Sequence, residues 1–477
     1  MDTYPDYQFN MERIINLLTL VLIVLFLPVF CLAQEKEKES KNSASKDIVI
    51  YPMGRAEGPV PDWAIGPFEI GKVKGQPMIF RPHLHWKDEG APDGWAPAKF
   101  WNPTLMEKDG KIYLFYRTGP KLEGLQSRIG VAWSEDGVQW HDYENNPIIF
   151  PTENNEKLGC EDPRIYKYGD TYFMYYNAVW DLKDMDKSIP RVWDHNDGEI
   201  GVDICLAIST DLMHWEKKGI VVPRSVSKGW AKAAVIPRSP EGEAVKINGQ
   251  FIMYISERLH SGKEDVKEQM IGYSKDLIHW EFEQKPYLEP DENIKSIYEV
   301  ATAVTNFPGS DNIVMDIYYV QGDGVRGCAQ ALYSKKDPFK RIDFTTFGLC
   351  SWGGFIFYDD QWLFAQGWVE PEAIYLYKAP IVMPWIKVEN IVLDKKVVNP
   401  GQVLKTSVTL KNIGKTEGTR TISIYVNGEI FSDKEVSVEA GKSIKVDFKI
   451  TRERPGIYQL MVDNQSVCFE VTAPNNN

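Results

Sequence analysis

Short runs of apolar or alternating residues recur along most of the chain, and turn residues bound each run. Pairs of runs flank Asp-Gly, Gly-Asp or Asn-Gly turns, as in NPTLMEKDGKIYLFYRT, PRIYKYGDTYFMYYNA and VKINGQFIMYISE. This pattern is typical of antiparallel β-hairpins. A further apolar strand follows each pair, so the sequence predicts a series of small antiparallel sheets.

A Ser-x-Asp-x-x-x-Trp element follows each of these further strands. It reads SEDGVQW at 134–140, STDLMHW at 209–215 and SKDLIHW at 274–280, with the degenerate form SKKDPFK at 334–340. Self-similarity at such spacing indicates a repeat architecture. We interpret the element as the outer hairpin of a four-stranded antiparallel sheet.

A fifth unit, WGGFIFYDDQWLFAQGWVEPEAIYLYKA, lacks this outer hairpin. In a closed propeller, an incomplete blade is normally completed by the other end of the chain, so we expect residues 47–73 to supply the missing strand. The repeat therefore predicts a five-bladed β-propeller over residues 47–385, closed radially with little exposed edge.

The pattern changes after Pro384. Residues 386–477 alternate apolar and polar positions, with turn signals at NPGQ, GKTEG and VNGE. About seven short strands in such a segment predict an immunoglobulin-like β-sandwich. The predicted fold class is therefore all-β, a five-bladed β-propeller followed by an immunoglobulin-like β-sandwich.

An apolar segment near the N-terminus, INLLTLVLIVLFLPVFC, precedes the polar run QEKEKESKNSASK. We interpret residues 1–33 as a signal peptide and residues 34–46 as a polar linker. An uncleaved anchor is the alternative, because the apolar segment is long enough to span a bilayer. The expected location is therefore secreted or periplasmic, with membrane anchoring in the second case.

Composition narrows the classes of partner. The 477 residues include 54 Lys and Arg against 67 Asp and Glu, a formal net charge of −13, which disfavours nucleic acid and anionic membrane surfaces. The six cysteines have no CxxC spacing, so neither a disulfide framework nor a zinc site is predicted. We expect no metal and no cofactor, since His83 and His85 have no third ligand nearby in the sequence.

Chemistry in a propeller is expected where the innermost strand of each blade begins, because those residues face the axial funnel. The predicted starts carry carboxylates, cations and aromatic residues, at Trp101-Asn102, Glu161-Asp162-Pro163-Arg164, Lys232, Glu299 and Trp352. Carboxylates can supply a proton and activate water, and aromatic faces stack on sugar rings. The pattern indicates an oligosaccharide or polysaccharide substrate.

The runs FWNPTLMEKDGKIYLFYR, IGVAWSEDGVQW and GCEDPRIYKYGDTYFMYYNA resemble glycoside hydrolase family 130, five-bladed propellers that include β-mannosidases and mannoside phosphorylases. In that family the Asp of the Glu-Asp-Pro-Arg motif is the general acid, sometimes through a substrate hydroxyl, which implies this role for Asp162. The resemblance covers about residues 97–380. The residues expected to contact substrate are Asn102, Arg117, Arg164 and Lys232, with Trp101 and Trp368 as stacking surfaces.

The C-terminal segment resembles CARDB-like adhesion modules at the ends of secreted proteins. We see no catalytic constellation in its sequence, so a spacer or attachment role is expected. Attachment to a cell surface, through this domain or the N-terminal segment, is a further expectation.

The acceptor of the cleaved sugar is water or phosphate. Family 130 phosphorylases hold phosphate with an Arg at the end of a blade 3 strand and a His in blade 4, and here Glu257 and Glu299 stand in those stretches. Carboxylates repel phosphate, whereas an inverting hydrolase needs a carboxylate base. We therefore expect an inverting hydrolase of β-mannosidic or related bonds, with Asp162 as acid and Glu257 or Glu299 as base.

Three alternatives stay open. A phosphate-dependent mannoside phosphorylase becomes the interpretation if a shift of alignment brings Arg258 and His260 into the site. A furanosidase of family 43 or 32 is disfavoured, because Asn102 stands where those families place an Asp base. A non-catalytic sugar-binding propeller is disfavoured by the carboxylates at inner-strand positions.

Overall fold

The computed structural model describes residues 60–82, 99–119, 126–181, 200–256, 269–288, 296–305, 311–320, 326–345, 354–370, 373–463 and 465–473. For residues 296–299, 319–320, 326–327 and 368–370 only the backbone is described. Contacts within the chain separate Met1–Val49 from Ile50–Asn477, and all described residues belong to the second unit. The predicted signal peptide and polar linker lie outside the described residues.

The described chain begins with four strands of two residues each, namely β1 (Glu69–Ile70), β2 (Lys72–Val73), β3 (Gln76–Pro77) and β4 (Ile79–Phe80). Strands β2 and β3 form a small hairpin, whereas β1 and β4 both join a later sheet.

Blades 1 and 2 are four-stranded antiparallel sheets whose strands follow chain order. Blade 1 consists of β5 (Lys99–Lys108), β6 (Lys111–Gly119), β7 (Arg128–Ser134) and β8 (Trp140–Asp142). A one-turn 3-10 helix, Asn154–Glu156, lies in the connection to the next blade. Blade 2 consists of β9 (Gly159–Tyr168), β10 (Thr171–Asp181), β11 (Ile200–Ser209) and β12 (Glu216–Ile220).

Blades 3 and 4 repeat the arrangement. A single helical turn, α1 (Arg224–Ser227), precedes blade 3. The strands of blade 3 are β13 (Lys232–Val235), β14 (Phe251–Ser256), β15 (Met270–Ser274) and β16 (Trp280–Gln284). Those of blade 4 are β17 (Ser296–Thr305), β18 (Asn312–Val320), β19 (Arg326–Ser334) and β20 (Asp337–Thr345).

Blade 5 joins the two ends of the propeller. Its strands β21 (Ile356–Tyr358), β22 (Gln361–Glu370) and β23 (Ala373–Ala379) are continued by β1, which pairs Glu69 with Lys378. The prediction that an N-terminal strand completes this blade is confirmed. Strand β4 also pairs with β23, through Ile374 and Phe80, and it lies beyond the segment predicted to do so.

The Ser-x-Asp-x-x-x-Trp elements form the outer hairpins as predicted. In blade 2, the Ser209 hydroxyl accepts the Leu212 N–H (2.9 Å), and the Asp211 carboxylate accepts the N–H groups of Met213 and His214 (2.8 Å each). The Trp215 indole donates to the Leu212 carbonyl. Equivalent Ser and Asp bonds occur in the elements at 134–140 and 274–280, so the repeat encodes a side-chain-locked turn.

Apolar clusters lie between neighbouring blades and not within a single sheet. Met106 and Phe115 of blade 1 pack with Ile165 and Met174 of blade 2, and similar clusters join blades 2 and 3, blades 3 and 4, and blades 1 and 5. The sheets of blades 1, 2 and 3 are therefore covered on both faces, which explains why so many of their strands read as nearly continuous apolar runs.

The C-terminal region is a β-sandwich with its own apolar core. One sheet has the order β24-β26-β29 and the other β25-β31-β30-β27-β28. The strands are β24 (Ile386–Leu393), β25 (Val397–Val398), β26 (Leu404–Asn412), β27 (Gly418–Val426), β28 (Glu429–Val438), β29 (Ser443–Ile450), β30 (Gly456–Val462) and β31 (Gln465–Val471). The all-β prediction of a propeller followed by a sandwich is confirmed.

Trp385 fastens the sandwich to blade 5. Its ring stacks on Phe357 (centroids 4.9 Å apart) and meets Trp362 edge-on (5.4 Å). Its backbone N–H donates to Asn412 of the sandwich, and Lys387 pairs with Asp360 in the turn that ends β21. Because inner strands begin at the funnel, this contact lies on the opposite face of the propeller.

Arg238, which follows β13, touches every other blade at the axis. Its guanidinium donates to the carbonyls of Ile165 in blade 2 (3.1 Å) and Phe355 in blade 5 (2.9 Å). Its backbone N–H donates to Ala303 of blade 4, and Met106 of blade 1 lies 4.0 Å from Nη1. Arg238 is 1% exposed, and no carboxylate of the described residues pairs with it. Burial lowers its pKa to about 10, which leaves it protonated at neutral pH.

Replacement of Arg238 by Met should destabilise the propeller by about 2–5 kcal/mol, because two buried carbonyls lose their donors. Arg238→Lys should cost less, since an ammonium group keeps one donor in place. Urea unfolding followed by tryptophan fluorescence measures both. Lys340→Met, at an exposed cation, is the control and should change the free energy of unfolding by less than about 0.5 kcal/mol; an equal effect of Arg238→Met would contradict the role of Arg238.

Candidate active site

The innermost strands of blades 1, 2 and 3 share one irregularity at their funnel ends. In each strand two residues oppose a single residue of the neighbouring strand, which is a β-bulge. The bulged pairs are Asn102-Pro103, Asp162-Pro163 and Ala233-Ala234. The first residue of each pair has a left-handed backbone, with φ of 44° at Asn102, 51° at Asp162 and 58° at Ala233.

The local sequence explains this backbone in two of the three blades. Asn and Asp tolerate a positive φ better than other residues with a side chain. The Pro that follows each of them needs no hydrogen-bond acceptor for its nitrogen. Ala233 has neither feature, so its conformation costs roughly 1–2 kcal/mol. The bulge re-aims the side chain of its first residue.

Asp162 and Glu161 share two cations from neighbouring blades. Arg117 on β6 contacts Glu161 Oε1 with Nη2 (2.8 Å) and Asp162 Oδ1 with Nη1 (3.2 Å). Lys232 on β13 lies 3.4 Å from Glu161 Oε2 and 3.3 Å from Asp162 Oδ2. Both carboxylates and Arg117 are buried, whereas the Lys232 side chain is 21% exposed. The structure thus brings predicted residues from three blades into one ionic cluster.

Two polar side chains that sequence reasoning missed complete this cluster. Asn177 on β10 donates to Asp162 Oδ2 (3.0 Å), and Ser127 accepts from Arg117 Nε (3.0 Å). Asn177 is the polar residue in the apolar run TYFMYYNAVW, which was the available signal. Glu161 is the first residue of the Glu-Asp-Pro-Arg motif, and the sequence predicts no separate role for it.

Trp101 was expected to stack on substrate, and the structure corrects this. Its side chain is completely buried. The Arg117 guanidinium lies over its ring, 5.0 Å from the centroid. The Trp101 ring therefore packs against the Arg117 guanidinium and has no exposed face on which a sugar could stack.

Arg164 was expected to contact substrate, but its described bonds run across the axis to blade 4. The guanidinium donates to the carbonyls of Ala301 and Val300. The side chain is buried, and its charge still acts on Asp162. Arg164 therefore fixes β9 against β17 and contributes a positive charge to the site.

Asp162 is ionised in this cluster. Burial alone would raise the pKa of its carboxyl, but the charges of Lys232, Arg117 and Arg164 outweigh burial and lower the pKa to about 2. Both oxygens already accept hydrogen bonds, Oδ1 from Arg117 and Oδ2 from Lys232 and Asn177. These hydrogen bonds favour the ionised form of Asp162.

Three cations face two carboxylates in the described part of the site, which leaves one positive charge in excess. Arg117 and Lys232 can each hold a sugar hydroxyl or an anionic oxygen in the funnel. This arrangement suits a reaction that binds an anion or stabilises developing negative charge.

Several predicted residues cannot be placed. Glu257 lies outside the described residues, as do His83 and His85. Glu299 is on β17 and pairs with Tyr318, and Trp368 is on β22, but for both only the backbone is described. Asn102 is buried on its bulge. Within the described ranges, no group of three metal-ligating residues occurs, and no helix is long and apolar enough to cross a membrane.

The described cysteines differ in state. Cys160 and Cys205 are free and buried, Cys468 is free and exposed, and Cys328 is disulfide-bonded. The two buried thiols lie in the strand cores of blade 2, as small core residues.

Comparison with known proteins supports the resemblance to glycoside hydrolase family 130 that the propeller and its Glu-Asp-Pro-Arg motif indicate. Residues 76–192 match the model of this family described as beta-1,4-mannooligosaccharide phosphorylase. Residues 384–477 match the CARDB model. The sequence resemblances to this family and to CARDB modules are both confirmed.

Two curated relatives come from Thermoanaerobacter sp. (strain X514). The chain is 28% identical over 257 residues to "1,2-beta-oligomannan phosphorylase", covering 53% of this chain and 75% of the relative. It is 26% identical over 171 residues to "Beta-1,2-mannobiose phosphorylase", covering 34% of this chain and 48% of the relative.

A solved structure supports the fold. It is described by the words "The GH130 family of mannoside phosphorylases contains glycoside hydrolases that target beta-1,2 mannosidic linkages in Candida mannan". It aligns with a TM-score of 0.50 at 20% identity, over 67% of this chain and 96% of that one.

The depressed pKa of Asp162 predicts a pH dependence of stability. A carboxyl whose pKa is lower in the folded than in the unfolded state stabilises the fold above its unfolded pKa of 3.8, and this stabilisation is lost as pH falls towards about 2. Asp162→Asn lacks this titration. The difference in unfolding free energy between the wild type and this variant should therefore shrink by about 1 kcal/mol from pH 6 to pH 3. A difference that stays constant over this range in urea titrations would show that Asp162 has an ordinary pKa.

Proposed function

We propose that the protein cleaves β-mannosidic bonds of manno-oligosaccharides at the Asp162 centre, with inorganic phosphate as the acceptor. The family model and both curated relatives carry the names of phosphorylases acting on β-mannosides. This supports the phosphorylase alternative better than the hydrolase favoured by the sequence. The observation that carries the proposal is the convergence of three cations, Arg117, Arg164 and Lys232, on Asp162 in the described part of the site.

The protonation state of Asp162 is consistent with phosphorolysis. An oxygen of hydrogenphosphate attacks the anomeric carbon and the glycosidic bond breaks. Phosphate loses one proton in this step, and the leaving oxygen gains one. The products are mannose 1-phosphate and a shortened oligosaccharide. No net proton is required from the protein, so a carboxylate that is ionised before and after the reaction can relay one through a substrate hydroxyl.

Inverting hydrolysis is the second candidate, and a specific feature favours it. Glu299 is at the funnel end of β17, next to the Val300 carbonyl that accepts from Arg164, and Glu257 directly follows β14. A carboxylate base at either position would activate water. The proton balance does not distinguish the two reactions, because an attacking water also loses the proton that the leaving oxygen gains.

The experiment compares products from purified protein and β-1,2- or β-1,4-linked manno-oligosaccharides, with and without inorganic phosphate. Mannose 1-phosphate formed only with phosphate is the expected result. Asp162→Asn should lower kcat by at least about 100-fold, since it removes the relaying carboxylate. Asp170→Asn, in the exposed turn of blade 2, is the matched control and should retain full activity.

Free mannose formed at the same rate with and without phosphate would overturn phosphorolysis in favour of the hydrolase. Glu257→Gln and Glu299→Gln would then identify the base. Absence of any product, with binding of the oligosaccharide retained, would favour a sugar-binding propeller.

We further propose that the protein is exported, on the basis of the apolar segment at 14–31 and the disulfide at Cys328, a bond typical of oxidising compartments. N-terminal sequencing of protein from the native host should find a chain that begins after Ala33. A chain that retains residues 1–33 in a membrane fraction would favour the anchor instead.

A further inference from the structure

We propose that a cleft at the rim of blade 2 binds the distal, neutral sugar units of a longer oligosaccharide substrate. The cleft has a volume of about 500 Å³. The connection between blades 1 and 2 lines one side with Glu153, Asn154, Asn155 and Lys157, and the other side is lined by Trp180, Ile220 and Arg224. The inference rests on the proposed function, because it concerns the same substrate.

The Trp180 side of the cleft is rigid. Arg224 makes two bonds to the fully buried Asp203, at 2.7 Å from Nη2 and 3.1 Å from Nε. Its guanidinium carbon lies 3.7 Å from the centroid of the Trp180 ring. Gly201 packs against the same indole so closely that a Cβ there would lie 2.2 Å from it. The indole therefore has one position, which reduces the entropy lost when a ligand binds.

The loop side is fixed as well. Glu156 is 1% exposed and accepts hydrogen bonds from the backbone N–H of Thr152 (2.8 Å), the Tyr176 hydroxyl (2.7 Å) and Lys217 (2.6 Å). Asn155 donates to Asp203 at 3.3 Å. These buried contacts hold the exposed side chains of Glu153, Asn154 and Lys157 along the cleft.

The chemistry of the cleft matches a neutral polyol. The Trp180 indole N–H is buried and has no hydrogen-bond partner among the described residues. The charge of Arg224 is balanced by Asp203, and Lys157 and Glu153 have opposite charges. With sugar hydroxyls, an amide donates and accepts hydrogen bonds, a carboxylate accepts them and an ammonium group donates them. Ile220, which is 44% exposed, offers an apolar surface to a sugar ring. A cleft without excess charge favours sugar over phosphate.

The position of the cleft relates it to the catalytic centre. Asn177, which donates to Asp162, is three residues before Trp180 on β10. Three residues of a strand span about 10 Å. The side chains of Asn177 and Trp180 leave opposite faces of β10, so a single sugar held at Asp162 does not reach the cleft, and an oligosaccharide that occupies both has to cross the rim of blade 2.

The test compares kcat/KM for a manno-disaccharide and a manno-hexasaccharide of the cleaved linkage. The double variant Asn154→Ala/Lys157→Ala should lower kcat/KM for the hexasaccharide at least fivefold and leave that for the disaccharide unchanged. Asp170→Ala is the control, and it should change neither value. Equal losses on both substrates, or no loss on the longer one, would overturn the proposal.

Calorimetric titration of the full-length protein with the hexasaccharide separates this proposal from the proposed function. If no mannoside is cleaved but the double variant binds at least fivefold more weakly than the wild type, the cleft is supported and the enzymatic proposal fails. Equal binding by both proteins, or binding by neither, would overturn the cleft.

Discussion

A protonated arginine, Arg238, with which no carboxylate of the described residues pairs, lies at the point where the blades meet. Moving a charge out of water costs several kcal/mol, and this cost is offset only if good hydrogen bonds replace hydration. For Arg238 these bonds come from carbonyls of blades 2 and 5, while its own backbone is bonded to blade 4. The cost is therefore recovered only when the ring is closed, which couples the blades to one another.

This closure reaches the Asp162 cluster through one strand. Ile165, whose carbonyl accepts from Arg238, directly follows Arg164, which spans the axis to blade 4. Asp162 is two residues earlier on the same strand. The buried side chains of Arg164 and Arg238 thus bond β9 to other blades. Arg117 and Lys232 contact the carboxylate of Asp162 itself. The low pKa of Asp162 follows from this convergence of cations on a buried group.

The fold was predictable because its signals are local. Turn residues, apolar runs and the Ser-x-Asp-x-x-x-Trp element each act within a few residues, and the missing strand of the fifth unit implied closure by the N-terminal segment. The site was predictable as far as the Glu-Asp-Pro-Arg motif and the resemblance extended, which gave Asp162, Arg117 and Lys232 as candidates. Asn177, the buried position of Trp101 and the role of Arg238 depend on contacts between distant blades, and no local pattern encodes them.

The shared bulge gives the inner strands of blades 1, 2 and 3 the same backbone conformation at the funnel. Asn102, Asp162 and Ala233 occupy equivalent left-handed positions in three successive blades, although only Asn102 and Asp162 are followed by Pro. A carboxylate could be moved around the axis by single substitutions, without rebuilding a loop or a strand. Which of these blades presents a carboxylate to the funnel therefore depends on the residue at the first position of its bulge.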